Sequence, residues 1–272
     1  RHLSQVPLFP TLVLGAMPLL EFGSQAQQRK YLLPVAENAA ILTAALQEYA
    51  SFDPAQPRTT ARRDGTGFRL EGEKICVPAA QLASVMLVPA RSESGQVGVF
   101  LVEPGAGGVK LERQIASNRE PLSRALLGGV RVGADALLGS LERGAEIVQW
   151  ISQRALLGLA AIQLGVADAA MRHTAEYVIQ RKQFGRPIAS FQSVQHRIAD
   201  AFVDVENQGL ELLAKSVQPL VGKTADHNFT ESVGFIGSLS RAAERNNAGV
   251  QRLAGKLQRV DQEVKQSFLL TV

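Results

Sequence analysis

Two helical segments of this chain meet at the stretch Arg181-Lys182-Gln183-Phe184-Gly185-Arg186-Pro187-Ile188-Ala189-Ser190-Phe191-Gln192-Ser193-Val194-Gln195. A long segment rich in alanine and leucine runs into it, and a second helical segment leaves it. Gly185 and Pro187 break the first helix, because glycine is conformationally permissive and proline cannot continue the helical hydrogen bonds. Ser190 is then well placed to cap the next helix. The sequence therefore predicts a helix hairpin around this stretch.

The connection between the helices also carries groups that suit a nucleotide. The guanidinium of Arg181 matches the oxygens of a phosphate with its fork of donors. The ring of Phe184 suits a flat heterocycle, and Gln183 and Gln192 add two amides. An ordinary helix hairpin, with its phenylalanine in the core and its basic residues in water, also explains this spacing. Spacing alone favours that simpler explanation.

A longer pattern runs from Arg181 to Asp200 and reads Arg-x-Gln-Phe-Gly-x-Pro-Ile-x-x-Phe-Gln-x-Val-Gln-x-x-x-Ala-Asp. The pattern is long and specific, and it resembles the C-terminal signature of the acyl-CoA dehydrogenase family. The resemblance implies that FAD is the cofactor and that these residues reach across a dimer interface to a neighbour's FAD. Arg181 would bind the pyrophosphate, Phe184 would lie near the dinucleotide, and Gln192 would hydrogen-bond the cofactor with Gln183 in support.

The composition excludes several classes of protein. The chain has 272 residues, of which 46% are hydrophobic and 20% charged, and it is long enough for a good core and two or three subdomains. Its single cysteine excludes an internal disulfide, and no Cys/His cluster has metal-ligand spacing. The net charge of +4 is spread along the chain, whereas nucleic-acid binders concentrate it among aromatic residues. No nucleic-acid partner is therefore expected.

The apolar runs bear on membranes and location. No run approaches the roughly 20 residues that are needed to cross a bilayer. We therefore predict no membrane span, and the single cysteine, which excludes an internal disulfide, favours a cytoplasmic location. The chain begins at Arg1 rather than methionine, so its sequence makes no prediction about targeting.

The order of sequence patterns divides the chain into three regions and predicts an α+β fold. Residues 1–40 contain helical pieces broken by prolines and resemble the last helices of the family's N-terminal helical domain, so the chain is expected to be N-terminally short. Residues 41–140 contain short apolar runs between Gly, Ser and Pro clusters, which predicts an antiparallel β-barrel-like middle domain. Residues 141–272 are expected to form a C-terminal helical bundle, with one long helix over 141–180. In the family the middle domain cradles the flavin ring.

Three further local patterns have structural interpretations. Glu71-Gly72-Glu73 is interpreted as a turn between two strands. Gly105-Ala106-Gly107-Gly108 is interpreted as a hairpin loop rather than a phosphate loop, because no helix with a Lys-Ser/Thr ending follows it. Apolar residues recur every three or four positions from Val250 to Phe268, which is typical of an amphipathic helix in a core or subunit contact.

The family chemistry requires a base that this chain lacks at the matching positions. In the family a carboxylate removes the α-proton of an acyl-CoA thioester, and the β-hydride passes to FAD. The commoner catalytic Glu has no counterpart in 218–272, where Glu231 and Glu244 are interpreted as solvated surface charges. A second lineage places the Glu one residue before an Arg on the long helix. The corresponding pair here is Gln153-Arg154.

An amide cannot accept a proton, so Gln153 cannot be the base and no catalytic residue is predicted. The same turn in the family usually carries an Asp that contacts the CoA arm, but Ile151 occupies this position. Arg154 is retained. Gln153 and Arg154 are therefore predicted to be substrate-binding residues for an acyl-CoA.

Two segments that face the flavin in the family also depart from its pattern. The family loop Thr-Glu-Pro-Gly-Ala-Gly-Ser corresponds to 47–53, preceded by Leu46, and the family's Trp-Ile-Thr/Ser corresponds to Cys76-Val77-Pro78. The candidate cofactor-binding residues here are Leu46, Gln47, Val77 and Pro78. Proline offers neither a hydroxyl nor an N–H, and Cys76 lacks the ring that backs the flavin. These departures indicate that the chain's own flavin site is weak or absent.

Three functions are compatible with these patterns. The leading hypothesis is a non-catalytic or half-site subunit of a heteromeric acyl-CoA dehydrogenase. It resembles the degenerate subunits that some bacteria pair with a homologous catalytic subunit, especially for bulky steroid side-chain thioesters. The second is a homomeric dehydrogenase with an unplaced base, which a yellow single chain that reduces a dye with acyl-CoA would support. The third is a flavin-free scaffold or interaction protein on the same fold, which a sample that stays colourless with every partner would support.

Overall fold

A computed structural model of the protein describes residues 7–221, except residues 50 and 52. The described chain consists of short N-terminal helices, one large sheet and two long helices, which confirms the predicted α+β fold class. The apolar stripe predicted between Val250 and Phe268 and the carboxylates of Glu231 and Glu244 lie outside the described residues.

Three short helical segments come first: a π-helical segment (Phe9–Ala16), α1 (Met17–Phe22) and α2 (Gln25–Ala36). A capping box starts α2, because Gln27 N donates to Ser24 Oγ at 3.2 Å and Ser24 N donates to Gln27 Oε1 at 2.9 Å. The side-chain amide of Gln27 also donates to the carbonyl oxygens of Asp135 and Leu137, at 2.7 and 3.0 Å. One glutamine thus both starts α2 and ties it to a distant part of the chain.

The middle of the chain forms one sheet of eight strands. They are β1 (Leu42–Ala44), β2 (Thr60–Asp64), β3 (Gly67–Pro78), β4 (Val85–Ser92), β5 (Val97–Val102), β6 (Val109–Ile115), β7 (Pro121–Val132) and β8 (Leu137–Leu138). Their hydrogen-bonded order is β6-β7-β3-β2-β4-β5-β8, and β1 lies beside β4. Most pairs are antiparallel, as predicted, but β4 pairs in parallel with both β1 and β2.

The turn predicted at Glu71-Gly72-Glu73 is instead a bulge inside β3. The strand runs without a break from Gly67 to Pro78, and its register against β7 shifts between Leu70 and Glu71. Gly72 has a φ of 153°, and a Cβ at this position would lie 2.7 Å from the Cα of Thr59. Glycine is needed here because Thr59 passes too close for a side chain, and not because the chain reverses.

The glycine-rich stretch 105–108 joins two strands that are not neighbours. β5, which precedes it, pairs with β4 and β8, and β6, which follows it, pairs with β7. The stretch is therefore a crossover between distant parts of the sheet, and the predicted hairpin loop is wrong. Glycine provides a turn in both kinds of loop, so composition alone does not distinguish them.

Two clusters of buried apolar side chains form the core. One packs α1, the sheet and the start of the first long helix together, and it includes Leu19, Leu42, Val99, Ile147 and Ile151. The other covers the inner face of the sheet and includes Phe68, Leu70, Val77, Phe100 and Val130. Phe68 and Phe100 meet edge-on within it, with ring centroids 5.0 Å apart. The opposite, outer face of β2, β3 and β7 carries mostly polar side chains, with Leu122 and Leu126 of β7 among them.

Two long helices, α3 (Gly144–Gln180) and α4 (Gln192–Val221), follow the sheet. The long helix predicted over 141–180 is confirmed, and its buried residues lie mainly in its first turns. By length and composition α3 meets the criteria for crossing a membrane, although polar residues interrupt it and, as predicted, no continuous apolar run in it approaches 20 residues. It meets these criteria because alanine and leucine recur over many turns with few charges. A buried core helix meets the same criteria, so this property is weak support for a membrane span.

A tight hairpin connects the two long helices. α3 ends at Gln180, and β9 (Lys182–Gln183) pairs antiparallel with β10 (Arg186–Pro187). Phe184 and Gly185 at the turn both have positive φ, 53° and 79°, as the favoured two-residue hairpin turn requires. The predicted connection between helices is thus a miniature β-hairpin with its own fixed geometry.

The second long helix begins without the predicted serine cap. Ser190 lies in a 3₁₀ turn (Ile188–Ser190), and its hydroxyl donates to the carbonyl oxygen of Pro187 at 2.7 Å. α4 begins after it, at Gln192. Ser190 therefore closes the end of the hairpin, while the carbonyl oxygen of Phe191 accepts the first helical hydrogen bonds.

Candidate functional site

The hairpin between α3 and α4, together with the first residue of α4, carries four of the predicted site residues on exposed positions. Phe184, at its tip, is 92% exposed, and Arg181, Gln183 and Gln192 are exposed as well. Among the described residues, the side chains of Arg181 and Gln183 have no hydrogen-bond or ion-pair partner. The amide of Gln192 reaches only His196, at 3.5 Å. In the described chain Phe184 is therefore not a core residue.

Phe191 fixes the shape of this hairpin. The ring of Phe184 meets it edge-on, with centroids 6.2 Å apart, and the guanidinium carbon of Arg186 lies 4.2 Å from the Phe191 centroid. Ile188 N donates to the carbonyl oxygen of Arg181 at 2.8 Å and closes the base of the hairpin. Arg186 is thus engaged within the hairpin, whereas the side chain of Arg181 has no partner among the described residues.

We expect Phe184→Ala to change the free energy of unfolding of the isolated chain by less than about 0.5 kcal/mol, because an exposed ring loses little burial. A core phenylalanine would cost about 3–5 kcal/mol. Urea unfolding of the two proteins measures the difference, and Phe100→Ala, in the buried core of the sheet, is the positive control. A loss as large as that of Phe100→Ala would mean that the chain itself buries Phe184.

The four candidate residues on the sheet lie next to one another. Ile75 N donates to the carbonyl oxygen of Gln47 at 2.9 Å, and Thr43 Oγ1 donates to that of Pro78 at 2.6 Å. These two hydrogen bonds hold the segment with Leu46 and Gln47 against the end of β3. Leu46 and Pro78 are half-buried, Gln47 is exposed and Val77 is fully buried. The side chain of Val77 belongs to the core, so only its backbone can face a ligand.

The end of β3 has few backbone donors to offer a ligand. Three N–H groups are already used within the chain: Ile75 N by Gln47 O, Cys76 N by Gln114 Oε1 at 2.8 Å, and Ala79 N by Pro121 O at 2.7 Å. Pro78 has no N–H at all. The sequence indicated a missing backbone donor at Pro78 alone, but most of the segment 75–79 has no free N–H group. These residues therefore do not fit the hydrogen-bonding edge of a flavin ring.

A buried ion pair beside these segments was not predicted from the sequence. Lys74 is 0% exposed, and its Nζ donates to Glu48 Oε1 at 2.6 Å. The Glu48 carboxylate also accepts from Arg58 N at 2.7 Å, from Thr59 N at 3.1 Å and from Thr59 Oγ1 at 2.7 Å. One carboxylate thus joins residues 48, 58–59 and 74. The sequence feature that could have indicated this pair is a lysine at an inward-facing position of β3, a strand whose other inward residues are apolar.

The environment of the pair shifts the pKa of both groups. Burial raises the pKa of the Glu48 carboxyl, but hydrogen bonds and charge from Lys74, together with Thr59 and Arg58 N–H, lower it by more, so its pKa lies below the ordinary value. Burial lowers the pKa of Lys74, against the opposite effect of Glu48. The hydrogen bond and charge between the two groups favour the ionised pair, whereas burial opposes it.

The predicted substrate residues lie on α3. Gln153 is exposed and Arg154 is half-buried, with its guanidinium carbon 3.4 Å from the ring centroid of Trp150. Burial lowers the pKa of Arg154, and the charge of Glu21 raises it in part. Arg154 has no ion pair within the described chain. Ile151 is fully buried in the core, so the position of the family's Asp does not face solvent here.

The described residues contain no group of three His, Cys, Asp or Glu side chains that could hold a metal ion. Cys76 is exposed, has a φ of 52° and lies in an irregular part of β3. The predicted site residues therefore lie in three places: the hairpin with the start of α4, the end of β3 with residues 46–47, and the start of α3.

Comparison with known proteins assigns these elements to one family. Residues 45–121 match the family description "Acyl-CoA dehydrogenase, middle domain", and residues 142–218 match "Acyl-CoA dehydrogenase, C-terminal domain". Together the two matches cover more than half of the chain. The first contains Gln47 and the end of β3, and the second contains Arg154 and the hairpin.

Individual relatives agree with this assignment. The chain is 35% identical to acyl-CoA dehydrogenase FadE27 of Mycobacterium tuberculosis (strain ATCC 25618 / H37Rv) over 212 residues, which are 78% of this chain and 54% of FadE27. Among solved structures, a variant of the Tcur3481-Tcur3483 steroid ACAD is 37% identical with a TM-score of 0.71, over 80% of this chain and 58% of that chain. The ChsE4-ChsE5 complex from Mycobacterium tuberculosis is 32% identical with a TM-score of 0.72, over 79% and 57%. The chain spans little more than half the length of these relatives. It belongs to the acyl-CoA dehydrogenase family.

Proposed function

We propose that this chain is a half-site subunit of a heteromeric acyl-CoA dehydrogenase. It completes the FAD site of a homologous catalytic subunit and supplies no catalytic base of its own. One contrast within the chain carries the proposal. The hairpin leaves Arg181 without a partner among the described residues and Phe184 almost fully exposed, whereas the segment 75–79 has used or lost most of its N–H groups.

The hairpin fits a dinucleotide that another subunit holds. The free guanidinium of Arg181 has the planar fork that binds a pyrophosphate, and a neutral amide at Gln183 or Gln192 can donate to the same ligand. The exposed ring of Phe184 offers a flat apolar surface. FAD, when bound, supplies the hydride acceptor for α,β-dehydrogenation of the thioester. In this proposal the hairpin only binds and orients the cofactor.

The chain's own flavin position does not fit the cofactor equally well. Leu46, Gln47, Val77 and Pro78 still border it, but Val77 is turned into the core and Pro78 has no donor. Cys76 has no ring to lie against the isoalloxazine. We therefore propose no chemical step at this position and assign the base to the partner subunit.

Arg154 and Gln153 are the residues that we propose to contact the acyl-CoA substrate. Arg154 is half-buried, stacked on Trp150 and without an ion pair in the described chain, so its charge is available to an anionic group of the substrate. The description of one similar structure as a steroid ACAD supports a steroid side-chain thioester as the substrate class. The description of another as a two-protein complex supports a heteromer.

The same proposal includes the organisation and location of the chain. Residues 1–40 are assigned to the end of an N-terminal helical domain, 41–140 to the middle β domain and 141–272 to a C-terminal helical bundle. The matched family descriptions begin near residues 45 and 142, which supports these boundaries. A cytoplasmic location accords with a catabolic acyl-CoA enzyme.

Copurification of this chain from its source cell, with an absorbance spectrum of the purified material, tests the proposal. We expect a homologous subunit and bound flavin in the same fraction. A yellow single chain that oxidises acyl-CoA by itself would replace the proposal with a homomeric dehydrogenase. A colourless complex would replace it with a flavin-free scaffold.

We expect the isolated chain to show no acyl-CoA oxidation with any dye acceptor, because Gln153 cannot take a proton. In the active complex Gln153→Ala should leave turnover within a factor of about two, since the base belongs to the partner. Gln153→Glu should add little, because Pro78 and the buried Ile151 leave other contacts incomplete. Steady-state dye reduction measures all three. A large loss of turnover in Gln153→Ala would contradict the half-site assignment.

A further inference from the structure

Three arginines stand side by side on the outer face of the sheet. The register places Arg62 of β2 opposite Arg69 of β3, and Arg69 opposite Arg131 of β7. All three are exposed. The adjacent row of the same three strands is buried and apolar, and it consists of Ala61, Leu70 and Val130. Because side chains alternate between the faces of a sheet, the row Arg62–Arg69–Arg131, here called the arginine row, points away from the core.

The arginine row opposes folding rather than assisting it. Like charges directly opposite one another on neighbouring strands are destabilising. Arg131 has one compensating contact, from its Nε to Asp64 Oδ2 at 3.0 Å, in an exposed pair. Arg62 and Arg69 have no ion pair within the described chain. Within the described residues, the ion pair of Arg131 is thus the one compensating contact of this kind for the three arginines.

The side chain of Arg69, in the centre, extends across the strand next to it. Gly129 of β7 has a φ of 70°, and a Cβ at this position would lie 2.6 Å from Arg69 Nε and 2.7 Å from Nη2. The guanidinium of Arg69 therefore rests on the backbone of Gly129, and any side chain there would displace it.

The wider face has mixed charge. Arg91 of β4 and Glu71 of β3 both lie opposite Thr60, which shares the outer face with Arg62. The face thus combines Arg91 and the arginine row with the carboxylates of Glu71 and Asp64. These carboxylates would repel a continuous phosphate backbone, whereas a helix can place carboxylates over the arginine row and uncharged side chains over Glu71 and Asp64. The charge pattern therefore favours a protein over a nucleic acid.

We propose that the arginine row is a docking surface for an acidic helix of a partner protein. Neighbouring strands are about 4.8 Å apart, so the backbone positions that carry the three arginines repeat at about that distance. Carboxylates at positions i and i+4 of a helix are about 5–6 Å apart, which matches this repeat. Each carboxylate can accept a two-pronged hydrogen bond from one guanidinium. The surface is separate from the hairpin, and the proposal does not depend on flavin binding.

Fluorescence anisotropy with the full chain and a labelled Glu-Ala-Ala-Ala repeat peptide tests this proposal. We expect the peptide to bind, and Arg69→Glu and Arg62→Glu each to weaken it by about tenfold, since each change replaces an attraction by a repulsion. Arg113→Glu is the matched control, because Arg113 is exposed on β6 outside the row and the net charge changes equally. It should weaken binding by less than about twofold. Higher salt should weaken binding to the wild type, since exposed charges are screened.

Several results would overturn the proposal. They are no binding of the peptide, equal losses in Arg69→Glu and Arg113→Glu, and displacement of the peptide by an equal concentration of inorganic phosphate, which would indicate a simple anion site. Binding of a thymidine oligonucleotide more tightly than the peptide would indicate a nucleic-acid surface instead. Circular dichroism confirms that each variant is folded, and the two row variants provide independent tests.

Discussion

Lys74→Met should lower the free energy of unfolding by about 3–5 kcal/mol at neutral pH, the range for removing one partner of a buried ion pair. Methionine keeps much of the volume of the lysine side chain, so the loss reports the missing charge and hydrogen bond rather than a large cavity. Glu48 would remain buried without its cation, with only Thr59 and Arg58 N–H to hold its charge. Urea unfolding of the wild type and variant measures the loss.

The loss should become smaller as the pH falls. The pKa of Glu48 lies below its ordinary value in the folded chain, and Lys74 is the strongest of the groups that lower it. A lowered carboxyl pKa gives stability that is present above the unfolded-state pKa and lost as the pH falls through the folded-state pKa. Without Lys74, burial dominates and the pKa of Glu48 rises. The variant should therefore regain part of its deficit as Glu48 takes up a proton at mildly acidic pH.

Two further variants distinguish the loss of the buried ion pair from the effect of replacing any paired lysine. Lys110 is paired with Glu112 at 2.7 Å, but its side chain is 71% exposed, so Lys110→Met should cost less than about 1 kcal/mol. Combining Lys74→Met with Glu48→Gln removes the uncompensated charge and should be less destabilising than Lys74→Met alone. Equal losses in Lys74→Met and Lys110→Met, or no pH dependence of the difference, would show that the pair does not hold these segments together.

Arg181→Ala is expected to weaken FAD retention in the assembled complex by about tenfold to a hundredfold, because losing a charged hydrogen-bonding partner costs about 1.5–3 kcal/mol. The isolated chain should keep its helicity and its stability, since Arg181 is exposed and has no partner in the described part of the chain. The measurement is flavin content by absorbance after dialysis of the complex, alongside circular dichroism of the single chain.

Arg181→Lys tests the fork of donors separately from the charge. It should retain FAD better than Arg181→Ala and less well than the wild type, because an ammonium cannot form the two parallel hydrogen bonds. Arg113→Ala, an exposed arginine on β6, should leave flavin content unchanged. If Arg181→Ala also retains its flavin, the hairpin does not contact the partner's cofactor and the half-site proposal loses its main support.

The hairpin shows what a contiguous pattern can predict. Arg181, Phe184 and Gln192 lie within one short stretch, so their residue types and spacing were readable without any tertiary information. The sequence did not indicate which of the two hairpin arginines is free. That depends on Arg186 lying over the ring of Phe191, and on Phe184 turning through a positive φ that leaves its ring in solvent. The serine cap was wrong because the 3₁₀ turn before α4 engages Ser190 first.

The sequence by itself determined the α+β class and the long helix before the hairpin. It also determined that position 153 has no catalytic base, because an amide cannot accept the proton in any fold. Only the tertiary structure decided which side chains and backbone groups are in contact. The structure shows that Lys74 pairs with Glu48 and that the N–H groups around Pro78 are already hydrogen-bonded. It also shows a bulge at Gly72, where the sequence predicted a turn, and the alignment of Arg62, Arg69 and Arg131. The physical reason is that periodicity reports which residues of one strand share a face. The register between strands, and therefore the partner of each side chain, is set by segments far apart in the chain.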